Sequence, residues 1–125
     1  MKCRQKRGPF MKAILFALLL PTAAAAEFSV VSDRSTFVGL MQEGQLKHSL
    51  FPIRLRVTPD GLIDGEAVGS TVTGSWQWDN GYFCRTMAWG DREIPFNCQL
   101  VEVDGRKVRF TENQGQGRAA TFRID

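Results

Sequence analysis

Ser75-Trp76-Gln77-Trp78-Asp79-Asn80-Gly81-Tyr82-Phe83-Cys84-Arg85 decides the fold. Asn-Gly is a strong signal for a two-residue hairpin turn, because both central residues must take positive φ. On either flank apolar and polar side chains alternate, the period of a half-buried strand. The same alternation continues outward between further turn signals at Thr58-Pro59-Asp60-Gly61, Gly69-Ser70, Gly90-Asp91, Asp104-Gly105 and Gly115-Gln116-Gly117. Short strands at even spacing with no long crossover predict an antiparallel up-and-down meander. About seven or eight strands with one apolar face must then curl into a small barrel or sandwich.

Register follows from the turns. Pro59 and Gly61 suit a type I turn with a bulge, which sets Val57 opposite Ile63, Ile53 opposite Ala67, Arg56 opposite Asp64 and Arg54 opposite Glu66. Tight turns at Gly69-Ser70, Asn80-Gly81 and Asp104-Gly105, with a looser one centred on Asp91, gather Val72, Trp76, Trp78, Phe83, Met87, Trp89, Val101, Val103, Val108 and Phe110 on one face. A one-residue slip would send a whole strand's apolar set to water, so a face that stays apolar supports the register. The other face brings Cys84 opposite Cys98, within reach of a disulfide. Ala120, Phe122 and Ile124 continue the alternation in a last strand.

Ahead of the meander, residues 28–31 predict a short strand and 33–42 a helix, with Phe37, Leu40 and Met41 on one side. Ser32 or Asp33 can cap it and Gly44 can end it, and the helix is expected to plug one end of the barrel.

Residues 1–26 have the layout of a secretory signal peptide: cations at Lys2, Arg4, Lys6, Arg7 and Lys12, an apolar stretch over 13–20, and Ala24-Ala25-Ala26 before Glu27. Met11-Lys12 offers a second possible start. Cleavage leaves residues 27–125 as one domain. Losing five of the 16 Lys and Arg leaves 11 against 13 Asp and Glu, turning the net charge from +3 to −2. The remaining cations alternate with acidic residues, so nucleic acid is not an expected partner, and neither is a membrane after cleavage. Export also removes Cys3 and places Cys84 and Cys98 in an oxidising compartment where thiols pair. A metal site made of those two cysteines and His48 has no recognisable ligand spacing.

The polar residues that alternation sends inside mark the candidate site. Arg85 falls opposite both Trp76 and Asn97, and Gln99 opposite Phe83. A buried Arg asks for a partner. Two arrangements meet that need. In one, Arg85, Asn97 and Gln99 hold a carboxylate or other polar head while Trp76, Trp78, Phe83 and Trp89 enclose an apolar body. In the other, Arg85 stacks on Trp76 and is satisfied by Asn97, a carbonyl or water. His48 reads as a loop residue with no nucleophile spacing around it, and Asp60, Asp64, Asp79, Asp91 and Asp104 read as turn residues. Gly115-Gln116-Gly117-Arg118-Ala119-Ala120 has the letters of a dinucleotide fingerprint but precedes a strand where that motif needs a helix, so it reads as a hairpin loop.

The segments Gly74-Ser75-Trp76-Gln77-Trp78, Gly81-Tyr82-Phe83-Cys84-Arg85, Trp89-Gly90, Asn97-Cys98-Gln99 and Arg109-Phe110 resemble a family of short exported alphaproteobacterial proteins without established activity, often labelled dihydrodipicolinate reductase. The resemblance covers nearly all of the domain and implies a periplasmic location. The label implies a nucleotide-binding parallel α/β domain and a substrate domain, which a 27–125 meander does not supply. The sequence therefore points to a non-catalytic periplasmic or secreted binding domain, without a cofactor, for a small ligand or a periplasmic protein. The alternatives are an enzyme, including the labelled reductase, and a lipocalin-like protease inhibitor.

Overall fold

The computed structural model describes residues 14–20 and 27–125. Of the expected signal peptide only 14–20 falls among these. That stretch has no helix or strand, and its apolar side chains stand exposed; the rest of 1–26 lies outside the described residues.

Nine strands and two short helices follow: β1 (Ser29–Val30), α1 (Arg34–Met41), β2 (Leu46–Lys47), β3 (Ile53–Val57), β4 (Leu62–Ala67), β5 (Ser70–Asp79), β6 (Tyr82–Trp89), β7 (Arg92–Asp104), β8 (Lys107–Thr111), α2 (Glu112–Gly115) and β9 (Ala119–Ile124). From β2 to β9 each strand pairs antiparallel with the next, and β9 returns to β2, closing an eight-stranded barrel. β1 is an extra strand on β7, with Ser29 opposite Val103. Sequence alternation did not disclose β2, which has only two residues but closes the ring.

The predicted registers hold. Ile53 pairs with Ala67, Arg54 with Glu66, Arg56 with Asp64 and Val57 with Ile63. Trp76 faces Arg85, which faces Asn97 in turn, and Phe83 faces Gln99. Cys84 and Cys98 lie opposite each other and form a disulfide. Two details differ. Asp64 lies within β4 and not in a turn, where it meets Arg56 at 3.2 Å. The β6–β7 turn is tight, because Trp89 pairs with Arg92. The extra residue falls further along, where Thr86 alone spans the place of Pro95 and Phe96. A bulge suits Pro95, which has no N–H to give the ladder.

Inward positions on neighbouring strands include Gly65 and Gly74. A Cβ at Gly65 would strike the Arg54 carbonyl, and one at Gly74 the Thr86 carbonyl. Their lack of a side chain lets β4 and β5 bend sharply, as a narrow barrel requires.

The core fills the end that carries the β3–β4, β5–β6 and β7–β8 turns. Asp33 caps α1, accepting from the Thr36 N–H at 3.0 Å and from the Ser35 hydroxyl at 2.6 Å. These bonds, that of Ser35 foremost, hold the Asp33 carboxyl below its ordinary pKa. Phe37 has no exposed surface and sits 5.0 to 5.3 Å, ring centre to ring centre, from Phe83, Trp78 and Trp76. Arg34 donates to the Pro59 carbonyl at 2.7 Å and lies over the Trp76 ring. The helix plugs this end as expected. Gly44, expected to end α1, instead allows a close backbone approach, since a Cβ there would strike Asp125.

Candidate functional site

Above the aromatic plug the barrel interior opens into a cavity of about 260 Å³. Its walls are apolar, with Leu46, Leu55, Val57, Ile63, Phe110 and Phe122 among them, and three polar side chains interrupt them: Arg85, Gln99 and Glu112.

β6 delivers Arg85 by simple alternation, two residues beyond Phe83 and two before Met87, all three lining the cavity. Only 4% of Arg85 is exposed. Nη1 donates to the Pro95 carbonyl at 2.8 Å, at the bulge in β7. Nε is buried and finds no acceptor, alone in this among the buried side-chain nitrogens and oxygens of the described residues. Burial lowers the guanidinium pKa from its ordinary value, and the negative charge of Glu112 opposes that shift. A buried donor without a partner is costly, and natural folds keep few of them.

Glu112 reaches the cavity from the β8–β9 connection, where Asn113 and Gln114 both take left-handed backbone angles, φ 53° and 55°. Such conformations cost non-glycine residues about 1 kcal/mol or more each and persist where surrounding contacts impose them. Asn97 holds the first of them: its Nδ2 donates to Asn113 Oδ1 at 2.7 Å, and its Oδ1 accepts from the Asn113 N–H at 2.9 Å. The Glu112 N–H donates to the Arg118 carbonyl and the Gly117 N–H to that of Glu112, closing the loop. The Gly115-Gln116-Gly117 segment is accordingly a hairpin connection between β8 and β9.

The sequence-predicted residues therefore divide. Arg85, Phe83 and Gln99 meet in the cavity. Trp76 and Trp78 face inward but lie against Phe37 at the plugged end, and Trp89 donates from Nε1 to the Ala67 carbonyl at 2.7 Å. None of the three indoles lines the cavity, and Asn97 braces the loop through Asn113. Nor does Arg85 stack on Trp76; Arg34 does. Alternation fixes which side a residue faces but not where its side chain leans: Trp76 is the cross-strand partner of Arg85, yet its indole leans to the plugged end, with Nε1 donating to the Thr58 carbonyl and its ring against Phe37. Glu112 escaped notice because the turn signal beside it does not show that the connection carries a carboxylate into the cavity.

A larger concavity, about 430 Å³, lies on the outer face of β5, β6 and β7 between Thr73, Ser75, Thr86 and the exposed Phe96. It contains no buried charge, so the interior cavity is the stronger site. His48 sits in the β2–β3 turn, its Nδ1 accepting from the Leu50 and Phe51 N–H groups. Among the described residues no cluster of three His, Cys, Asp or Glu is placed to hold a metal, and no helix is long and apolar enough to cross a membrane.

Comparison with protein-family models, curated proteins and solved structures finds no match for this chain.

Proposed function

We propose that the protein is a non-catalytic binding domain, exported to the periplasm, whose barrel interior takes a small ligand with its polar head on Arg85. A buried arginine lining an otherwise apolar cavity, with only one hydrogen bond to the protein and one donor left unsatisfied, carries this proposal. An apolar wall with a few convergent polar groups is the usual make-up of a small-molecule site. The disulfide fits an oxidising compartment.

Thermal-shift measurement of the purified protein against a panel of small amphiphiles tests the proposal. Ala120 lines the cavity opposite Phe110 and is exposed, so Ala120→Trp should obstruct the entrance. Ligand-induced stabilisation that disappears in Ala120→Trp and in Arg85→Met supports the reading. A panel with no hits, or hits that survive both changes, refutes it. Saturable NADPH binding would favour the reductase label instead. Exposed Phe96, beside the outer concavity, favours a second reading in which a periplasmic protein docks there, as on a lipocalin-like inhibitor. Photo-crosslinking from position 96 in intact cells, with a discrete product lost on moving the probe to the far side of the barrel, distinguishes it.

A further inference from the structure

The charges in the cavity narrow the ligand class. Arg85 commits Nη1 to the Pro95 carbonyl and leaves Nε without an acceptor. Nε is itself covered by protein, so a ligand carboxylate would meet the guanidinium through its remaining nitrogen, Nη2, as a charge-assisted hydrogen bond. Glu112 lines the same cavity, yet the ion pairs among the described residues are Arg56–Asp64, Arg109–Glu102 and Arg123–Asp125. One cation and one anion thus face a single apolar space without closing on each other.

Resting on the interior-site reading above, we propose that the ligand is a zwitterionic apolar α-amino acid, its carboxylate on the Arg85 guanidinium, its ammonium on Glu112 and its side chain against Leu55, Ile63 and Phe122. A simple carboxylic acid would set two carboxylates against one guanidinium in a water-poor space, and a simple amine would set two cations against one carboxylate. Either leaves a charge unpaired, at a cost that is large for the buried Arg85 and smaller for the half-buried Glu112. A zwitterion pairs all four charges. Size agrees: at about 30 Å³ per water the cavity equals roughly nine waters, below the range of drug-sized pockets. That suits one amino acid and not a peptide. The Gln99 amide adds a neutral donor and acceptor beside the head group.

Isothermal titration of the purified protein at neutral pH compares leucine and phenylalanine with their deaminated acids, 4-methylpentanoate and 3-phenylpropanoate, and with their decarboxylated amines. The amino acids should bind about tenfold more tightly than either analogue, the worth of one additional charge-assisted contact. Glu112→Gln should abolish that preference by weakening the amino acids and strengthening the acids. Arg85→Met should remove amino-acid and acid binding alike. Acids that bind the unmodified protein as tightly as the amino acids do would overturn the zwitterion proposal and leave the interior site standing. If no acid, amine, amino acid or neutral alcohol of this size binds, both fall. An amino-acid preference unchanged in Glu112→Gln also overturns the proposal, and it does so even if Arg85→Met does not fold.

Discussion

Arg85→Met sets the value of Arg85 to folding against its value to binding. The guanidinium is 4% exposed, makes one hydrogen bond and buries one donor without a partner. Removing it forfeits the bond to Pro95, about 0.5–1.5 kcal/mol, and relieves an unsatisfied polar group, about 1–3 kcal/mol. Methionine is similarly long, unbranched and adaptable, so it can fill the vacated space. The balance is a gain of about 1 kcal/mol, in line with the neutral or stabilising outcome common when a buried charge gives way to a hydrophobe. For a domain of this length that raises Tm by about 4–8 °C. Thermal unfolding followed by circular dichroism in oxidising buffer reads the shift. A rise in Tm with ligand binding lost marks a residue kept for function at the expense of stability. A fall of several degrees would show that Arg85 braces the barrel, and the argument from its unpartnered Nε would fail.

Three further outcomes are expected. Phe37→Ala should cost about 3–5 kcal/mol, since Phe37 is fully buried among Trp76, Trp78, Phe83 and Phe110, and tryptophan emission should shift to the red as the plug loosens. Replacing Cys84 and Cys98 together by Ala should lower stability in denaturant titrations by about 3 kcal/mol, the loop-closure value for a separation of 14 residues. Asp33 has a folded-state pKa below its ordinary 3.8, so its stabilising contribution is present in full above that value and is lost as pH falls through the folded pKa. Urea midpoints measured down the acid range should therefore converge for the native protein and Asp33→Ala, and midpoints that stay apart at the acid end would contradict the capping role.

Much of the barrel was legible because each tight turn transmits register from one strand to the next. Thr58-Pro59-Asp60-Gly61 and Asn80-Gly81 fixed the faces of β3 to β6, and a disulfide across β6 and β7 is what those faces require. The sequence pointed to a small barrel or sandwich, but the strand that closes the ring was not legible, since β2 offers two residues and no alternation, and its partners β3 and β9 lie on either side in space but far apart in sequence. Half of the candidate site was legible for a related reason. Arg85, Phe83 and Gln99 depend only on facing inward, whereas excluding Trp76 and Trp78 required knowing that Phe37 occupies their end of the barrel. Glu112 depends on Asn113 and Gln114 both taking positive φ, the first held by a distant Asn97, and a long-range contact of that kind is not visible in the local sequence.

The pairing of Leu46 with Ile124 has a consequence for how the chain matures. Every other seam of the ring joins neighbours in sequence and can zip locally, but this one waits for β9, the last strand synthesised among those described. Until it arrives, both margins of the nascent sheet stay open to foreign strands, and the interior has no wall on that side. Assembly should accordingly be limited by one long-range encounter, slower than hairpin formation.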